Sequence, residues 1–522
     1  MMRLFGSLLA SSKASKLVLE RSVAAYQIIT KHSYEPRFFS DQPSAIPQVS
    51  KLSPTDAGVN DVKETSTNGL IRVMSTQHVK PHNPTPQNLR SYKLSAFDQV
   101  NPPHYVPFVF FYANNANGNN DNLIAERSKR LKESLSKTLT QFYPFAGKYV
   151  DDNHIECNDE GVYYVETRID GDLSSFIAKP DYKLLQKLLP MPPDSKEPTR
   201  GFYISMIQVN FFSCGGVGIS IAHSHKLVDG CTYMTFLKAW ASLAKGDADD
   251  DDDDDDQKKM TFHPNFEAST LFPPNTILPT YPSFPLSLLC VTPFMLRGGK
   301  SSTKRFRFDA SAIQALRSQV SSTRVVAVTS FIWKCATAAA RKLQGERSSI
   351  LQIAVNLRPK CAPPLPSSAI GNISWSGVAR CEPNDKLSLD SMVGHVKDGI
   401  AKVDTSYVEQ FKGEQGCNNL IKEMKRVTRE MSKCDANYYM TTSVCNFGAY
   451  DTDFGWGRPV WACCGIFSND VPLYTNFLIL MDTSKGDGIE ALVTLSQEEM
   501  DLLEGDPDLL LYASIEPSPL LG

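Results

Sequence analysis

The sequence predicts an α/β protein of two domains, and three observations carry that prediction. A chain of 522 residues is too long for one ordinary core. Strand-like patterning runs from Phe202 to Phe212 and from Val217 to Ile221, with the turn residues Ser213-Cys214-Gly215-Gly216 between, so a hairpin is expected. Behind it Tyr233, Phe236, Leu237, Trp240 and Leu243 recur at intervals of three and four, the mark of a helix with one buried face. Gly246 supplies its C-terminal stop.

Four segments follow from this reading. Residues 1–70 are an N-terminal extension, 71–244 a first domain, 245–300 a crossover loop and 301–522 a second domain. Between Met1 and Phe39 six Lys or Arg face two acids, and Arg37-Phe38-Phe39-Ser40 resembles a mitochondrial processing site. Two readings stand for this extension, a transit peptide or an inert leader on a cytoplasmic protein. The crossover holds the unbroken run Asp249 to Asp256 and then Pro264, Pro273, Pro274, Pro279, Pro282 and Pro285, which oppose regular structure. Eight adjacent aspartates repel one another, so a solvated loop is expected ahead of a calcium- or partner-binding tail.

Composition narrows the function. The formal charge of −3 becomes +5 without the aspartate run, too little to argue for nucleic acid. No window of about twenty apolar residues suggests a membrane span. None of the 12 cysteines forms a CxxC pair, so a disulfide framework is not expected. There is no GxSxG elbow for a serine nucleophile, and Gly298-Gly299-Lys300 lacks the upstream glycine of a phosphate-cradling loop.

The chemistry concentrates in His223-Ser224-His225-Lys226-Leu227-Val228-Asp229-Gly230, where the strand pattern stops and the helix pattern begins. Far downstream stands Asp453-Phe454-Gly455-Trp456-Gly457. Together and in this order, these resemble the HxxxD and DFGWG motifs of the BAHD family of plant coenzyme-A-dependent acyltransferases. The resemblance spans about 450 residues from Ile71, with further landmarks at Leu94-Ser95-Ala96-Phe97-Asp98, Tyr143 to Lys148, Thr329 to Lys334, Val355-Asn356-Leu357-Arg358 and Gly371-Asn372. Lys80 to Pro86 and Ser224-His225-Lys226 are most similar to the branch of vinorine synthase and salutaridinol acetyltransferase.

The resemblance implies a chloramphenicol-acetyltransferase-like fold with mixed sheets, no permanently bound cofactor, acetyl-CoA as co-substrate, a small-molecule alcohol acceptor and a monomer. It implies His225 as general base. Imidazole, with a pKa near 6.5, can take the hydroxyl proton and later protonate the departing thiolate. Asp229 is expected to support the site by pairing with Arg358, or to cap the following helix; the two roles are compatible. Asp453, Phe454, Gly455, Trp456 and Gly457 are expected to be structural, with a tight turn around the indole. Thr329 and Ser330 are the cofactor-binding candidates, Lys304, Arg305 and Arg307 candidate phosphate contacts, and Ser443 or Asn446 candidate oxyanion donors. His223 with His225 and Asp229 raises zinc, but a third ligand at motif spacing is missing, so no metal is expected. His223 is instead a satisfied core group or a residue shaping the acceptor pocket. Alternatives remain: a hydroxycinnamoyl or malonyl donor, an amine acceptor, a condensation domain, a hydrolase, or a non-catalytic binding member of the fold.

Overall fold

A computed structural model of the protein describes residues 70–101, 104–114, 120–151, 153–190, 202–246, 263–274, 297–431, 435–464 and 473–521. The candidate presequence Met1–Phe39 and the aspartate run lie outside these residues. Two mixed sheets organise the rest. One has six strands in the order Ile71–Val79, Val162–Ile169, Ser205–Phe212, Val217–Ser224, Tyr105–Tyr112 and Trp461–Cys464. The other has seven, in the order Ser374–Cys381, Ser348–Asn356, Ala436–Ser443, Phe477–Asp482, Ile489–Ser496, Ser301–Phe308 and Ser514–Ile515.

The expected hairpin is present. Ser205–Phe212 and Val217–Ser224 pair antiparallel, closed by a turn with Gly215 at φ 85°, in the left-handed region where a glycine is strain-free. Both strands are buried on both faces, which is why their residues do not alternate between apolar and polar. The helix Gly230–Lys245 follows, with Gly246 as a left-handed C-cap. Tyr233, Phe236, Leu237 and Trp240 are buried as its periodicity predicts, and Leu243 is half-buried.

The expected division at residue 300 is not how the sheets divide the chain. Trp461–Cys464, deep in the second half, pairs with Phe108–Phe111 and becomes an edge strand of the first sheet. Strand period explains why it fits: Ala462 and Cys464 enter the core under one face, while Trp461 and Cys463 enter the cluster on the other. The Trp461 ring stacks on Phe111 at 5.5 Å, and truncating it to alanine would cost about 3–5 kcal/mol. Within the crossover, the described residues 263–274 hold more regular structure than their prolines suggest. Asn265 bridges to Ala369, Ala268–Leu271 forms a short helix, and Phe272 is buried against Phe97 at 5.0 Å. A core cluster containing Phe97, Phe272, Leu357 and Ile373 thereby joins the two halves beside the HxxxD turn. No described helix is long and apolar enough to cross a membrane.

Candidate active site

Ser224 ends its strand, and its carbonyl accepts from the backbone N–H groups of Leu227 and Val228 at 3.3 and 3.2 Å. This tight turn swings His225 out of the sheet. Asp229 then caps the helix, accepting from the Thr232 N–H at 2.8 Å. Gly230 lets the second half approach: a Cβ there would stand 3.1 Å from Phe447 and 3.3 Å from Val444.

The His225 backbone N–H donates to the His104 carbonyl at 2.8 Å, and its Nδ1 lies 3.0 Å from Asn372 Oδ1. Asn372 fixes the polarity of that bond. Its Nδ2 donates to the His225 carbonyl at 2.7 Å and faces Asp98 Oδ1 at 3.3 Å, which leaves Oδ1 as an acceptor only. Nδ1 of His225 therefore carries the proton, and the Nε2 lone pair is left to accept one. Burial lowers the His225 pKa below 6.5, opposed in part by Asp229 and the Asn372 bond. The ring is neutral at pH 7 and partly exposed.

Asp98 anchors Asn372. It accepts from the Asn372 N–H at 2.7 Å and forms a capping box with Ser95, while burial raises its pKa to about 6. Neither Asp98 nor Asn372 was singled out by chemistry in the sequence, because 274 positions separate them. Their only signal was membership of two landmark segments.

Asp229 turns away from the imidazole. Its carboxylate accepts from Arg358 Nη1 at 2.7 Å and Nη2 at 3.1 Å, and also from the Ile373 N–H at 3.0 Å. Arg358 is 2% exposed and donates further to the Ala369 and Gly371 carbonyls. One aspartate thus caps the helix and holds the 369–373 loop that carries Asn372, so both expected roles coincide.

His223 is sealed in the core. Its Nδ1 lies 2.6 Å from Ser205 Oγ, and its ring packs on Tyr233, Phe236 and Phe145 at 4.6, 5.1 and 5.3 Å. The Val217–Ser224 strand stops before His225, so the two rings do not share a strand face; His223 neither joins a His-x-His ligand pair nor shapes a pocket. Burial holds its pKa down to about 3. Among the described residues, the one trio with metal-ligand spacing, Cys381, Asp385 and His395, lies on the second sheet and its following helix, and Arg341 donates to the Cys381 sulfur.

Several assignments do not survive as surface contacts. Thr329 and Ser330 lie on the inward face of the helix Arg324–Gln344, and both are buried. Arg305 is 3% exposed, pairs with Glu490 at 2.8 Å and covers the Trp461 ring, so it braces the exchanged strand instead of meeting phosphate. Lys304 pairs with Glu504 at 2.9 Å. Ser443 Oγ accepts from the Cys445 N–H, while Asn446 accepts from Arg324 and donates its N–H to Asp482.

The DFGWG segment docks on the first half. Asp453 Oδ1 accepts from the N–H groups of Gly455 and Gly457 at 2.9 and 2.8 Å, across a turn in which both glycines have positive φ. Phe454 meets Trp240 at 5.0 Å, Trp456 stacks on Phe454 at 5.8 Å, and Arg127 covers Trp456 at 5.0 Å.

Comparison with known proteins agrees with this geometry. The model of the Transferase family matches residues 70–510. The limonoid 7-O-acetyltransferase of Citrus sinensis is 36% identical over 470 residues, 86% of this chain and 99% of that protein. Stemmadenine O-acetyltransferase of Catharanthus roseus is 32% identical, covering 84% and 96%. The crystal structure of vinorine synthase superposes with a TM-score of 0.69 at 31% identity, covering 85% and 98%.

Proposed function

The chain belongs to this transferase family, that of the BAHD acyltransferases, and we propose that it acetylates a hydroxyl group of a plant specialised metabolite with acetyl-CoA as donor. Its relatives named above are O-acetyltransferases of limonoid and alkaloid metabolism, and family members take their acyl group from a coenzyme A thioester. The observation that carries the mechanism is the hydrogen bond from His225 Nδ1–H to Asn372 Oδ1, which leaves Nε2 unprotonated.

In this mechanism Nε2 takes the proton of the acceptor hydroxyl as its oxygen attacks the thioester carbonyl. The C–O bond forms, the C–S bond breaks, and the imidazolium returns the proton to the departing coenzyme A sulfur. A base so placed contributes roughly 10² to 10⁴ in rate. Transfer is direct, without an acyl-enzyme. Asp229 and Arg358 act one step removed, by holding the loop that carries Asn372.

Incubation of the purified protein with acetyl-CoA and a plant metabolite extract tests the proposal by mass spectrometry. Products heavier by one acetyl unit, dependent on His225, are expected. Thioester loss that proceeds equally without any acceptor would make the protein a hydrolase and overturn the reading. We further propose that Met1–Phe39 directs the enzyme to mitochondria, the alternative being a cytoplasmic enzyme with an inert leader; a reporter fused after Gly69 distinguishes them.

A further inference from the structure

A second imidazole stands beside the proposed base. His104 begins the segment that leads into the strand Tyr105–Tyr112, and its carbonyl accepts the His225 backbone N–H at 2.8 Å. The two rings lie edge to face, 5.1 Å between centroids. Unlike His223, which is sealed and bonded to Ser205, His104 is partly exposed, and its ring has no hydrogen-bond partner among the described residues.

Surroundings of this kind keep the ring uncharged. Burial, and then the proximity of His225, bring the His104 pKa down to about 3. A neutral imidazole presents one N–H donor and one lone pair. It therefore does not compete with His225 for the acceptor proton, but it offers a polar partner beside the ring that takes it. A desolvated polar group left without a partner penalises any bound ligand that cannot satisfy it, and that penalty becomes discrimination.

Resting on the acetyl-transfer reading above, we infer that His104 is a specificity-determining residue that hydrogen-bonds a second oxygen of the acceptor, borne on a carbon next to, or one removed from, the carbon carrying the reacting hydroxyl. Oxygens on neighbouring carbons sit about one hydrogen-bond length apart, roughly 3 Å, which suits two imidazoles in edge-to-face contact. The preferred substrates are then vicinal diols, hydroxy ethers or hydroxy ketones, rather than isolated alcohols. The tie between residue 104 and His225 uses the backbone carbonyl, so replacing the side chain leaves it in place.

Two probes of matched size test this with acetyl-CoA: cis-2-methoxycyclohexanol, whose ether oxygen can accept from His104, and cis-2-ethylcyclohexanol, which lacks it. The native enzyme is expected to favour the ether in kcat/KM by about 10- to 100-fold. His104→Phe should abolish the preference by lowering kcat/KM for the ether far more than for the ethyl compound, and His104→Gln, which keeps a donor and an acceptor, should retain most of it. Equal use of both probes by the native enzyme, or an equal loss for both in His104→Phe, overturns the inference. Should neither probe be acetylated, the ¹⁵N resonances of the His104 ring supply the readout. A shift with the ether that the ethyl compound does not produce supports the contact, and identical responses overturn it. Failure of acetyl transfer as such is seen separately, as the absence of acetylated products from the plant extract.

Discussion

The HxxxD turn and the DFGWG turn each rest on one aspartate, yet the two carboxylates work at different ranges. Asp453 has a distant partner in the half-exposed Lys245 at 3.7 Å, and it accepts from N–H groups two and four residues ahead, within its own turn. Asp229 does this for Thr232, but its other oxygen reaches Arg358 and Ile373, 129 and 144 positions away. A motif aspartate that looks alike in sequence thus mainly shapes its own turn in one case, with only a half-exposed lysine across the chain, and in the other ties the halves of the protein together through a buried arginine. The catalytic turn depends on the long-range kind, because the partner that sets the His225 proton, Asn372, arrives from the second half of the chain.

The largest expected effect on stability breaks the long-range tie. Asp229→Asn or Arg358→Ala leaves a buried charge unpaired and should cost about 3–5 kcal/mol in denaturant unfolding, with activity lost in proportion to the folded fraction. The double variant should be far from additive; additive losses would mean that the contact contributes little. Asn372→Ala should lower kcat by roughly a hundredfold through misorientation of His225, with the KM for acetyl-CoA little changed. Unaltered kcat would remove Asn372 from the mechanism.

Protonation separates the neighbouring histidines as well. His225 is depressed below 6.5, so the acid limb of kcat/KM should fall below the ordinary imidazole range and activity should be flat above it. His104 and His223 stay neutral down to about 3 when folded but take protons near 6.5 when unfolded, so stability is full above 6.5 and is lost as pH falls toward 3. Asp98 acts oppositely: folded, it takes its proton near pH 6 and, unfolded, near 3.8, so its protonation favours the native state as pH falls through that interval. The two histidines thus contribute a decline that Asp98 partly offsets, and His223→Leu should make the slope of stability against pH shallower. The smallest effect belongs to Asp453→Ala, about 1 kcal/mol, with turnover per folded molecule unchanged.

What could be read in the sequence was local. The turn at Ser213 to Gly216, the helix after Gly230 and its stop at Gly246 are set by neighbours in the chain, and periodicity registers them. Asp229 with Arg358 was legible only through the family resemblance. The exchange of Trp461–Cys464 into the first sheet was not, because a short apolar strand carries no label for its partner. Nor does sequence reveal that Phe272 returns from the crossover to cover Phe97, or that Thr329 and Ser330 are buried. His104 stands 121 positions before His225, and no spacing rule connects them.

The central claim is that His225, presented as the Nδ1–H tautomer, is the base for acyl transfer, whereas the DFGWG turn is a brace. Single-turnover acetyl transfer by His225→Ala, normalised to folded protein by circular dichroism, tests it most directly. A fall of roughly two to four decades with the fold and acetyl-CoA binding retained is the predicted result. Turnover within a few-fold of the native enzyme would contradict it.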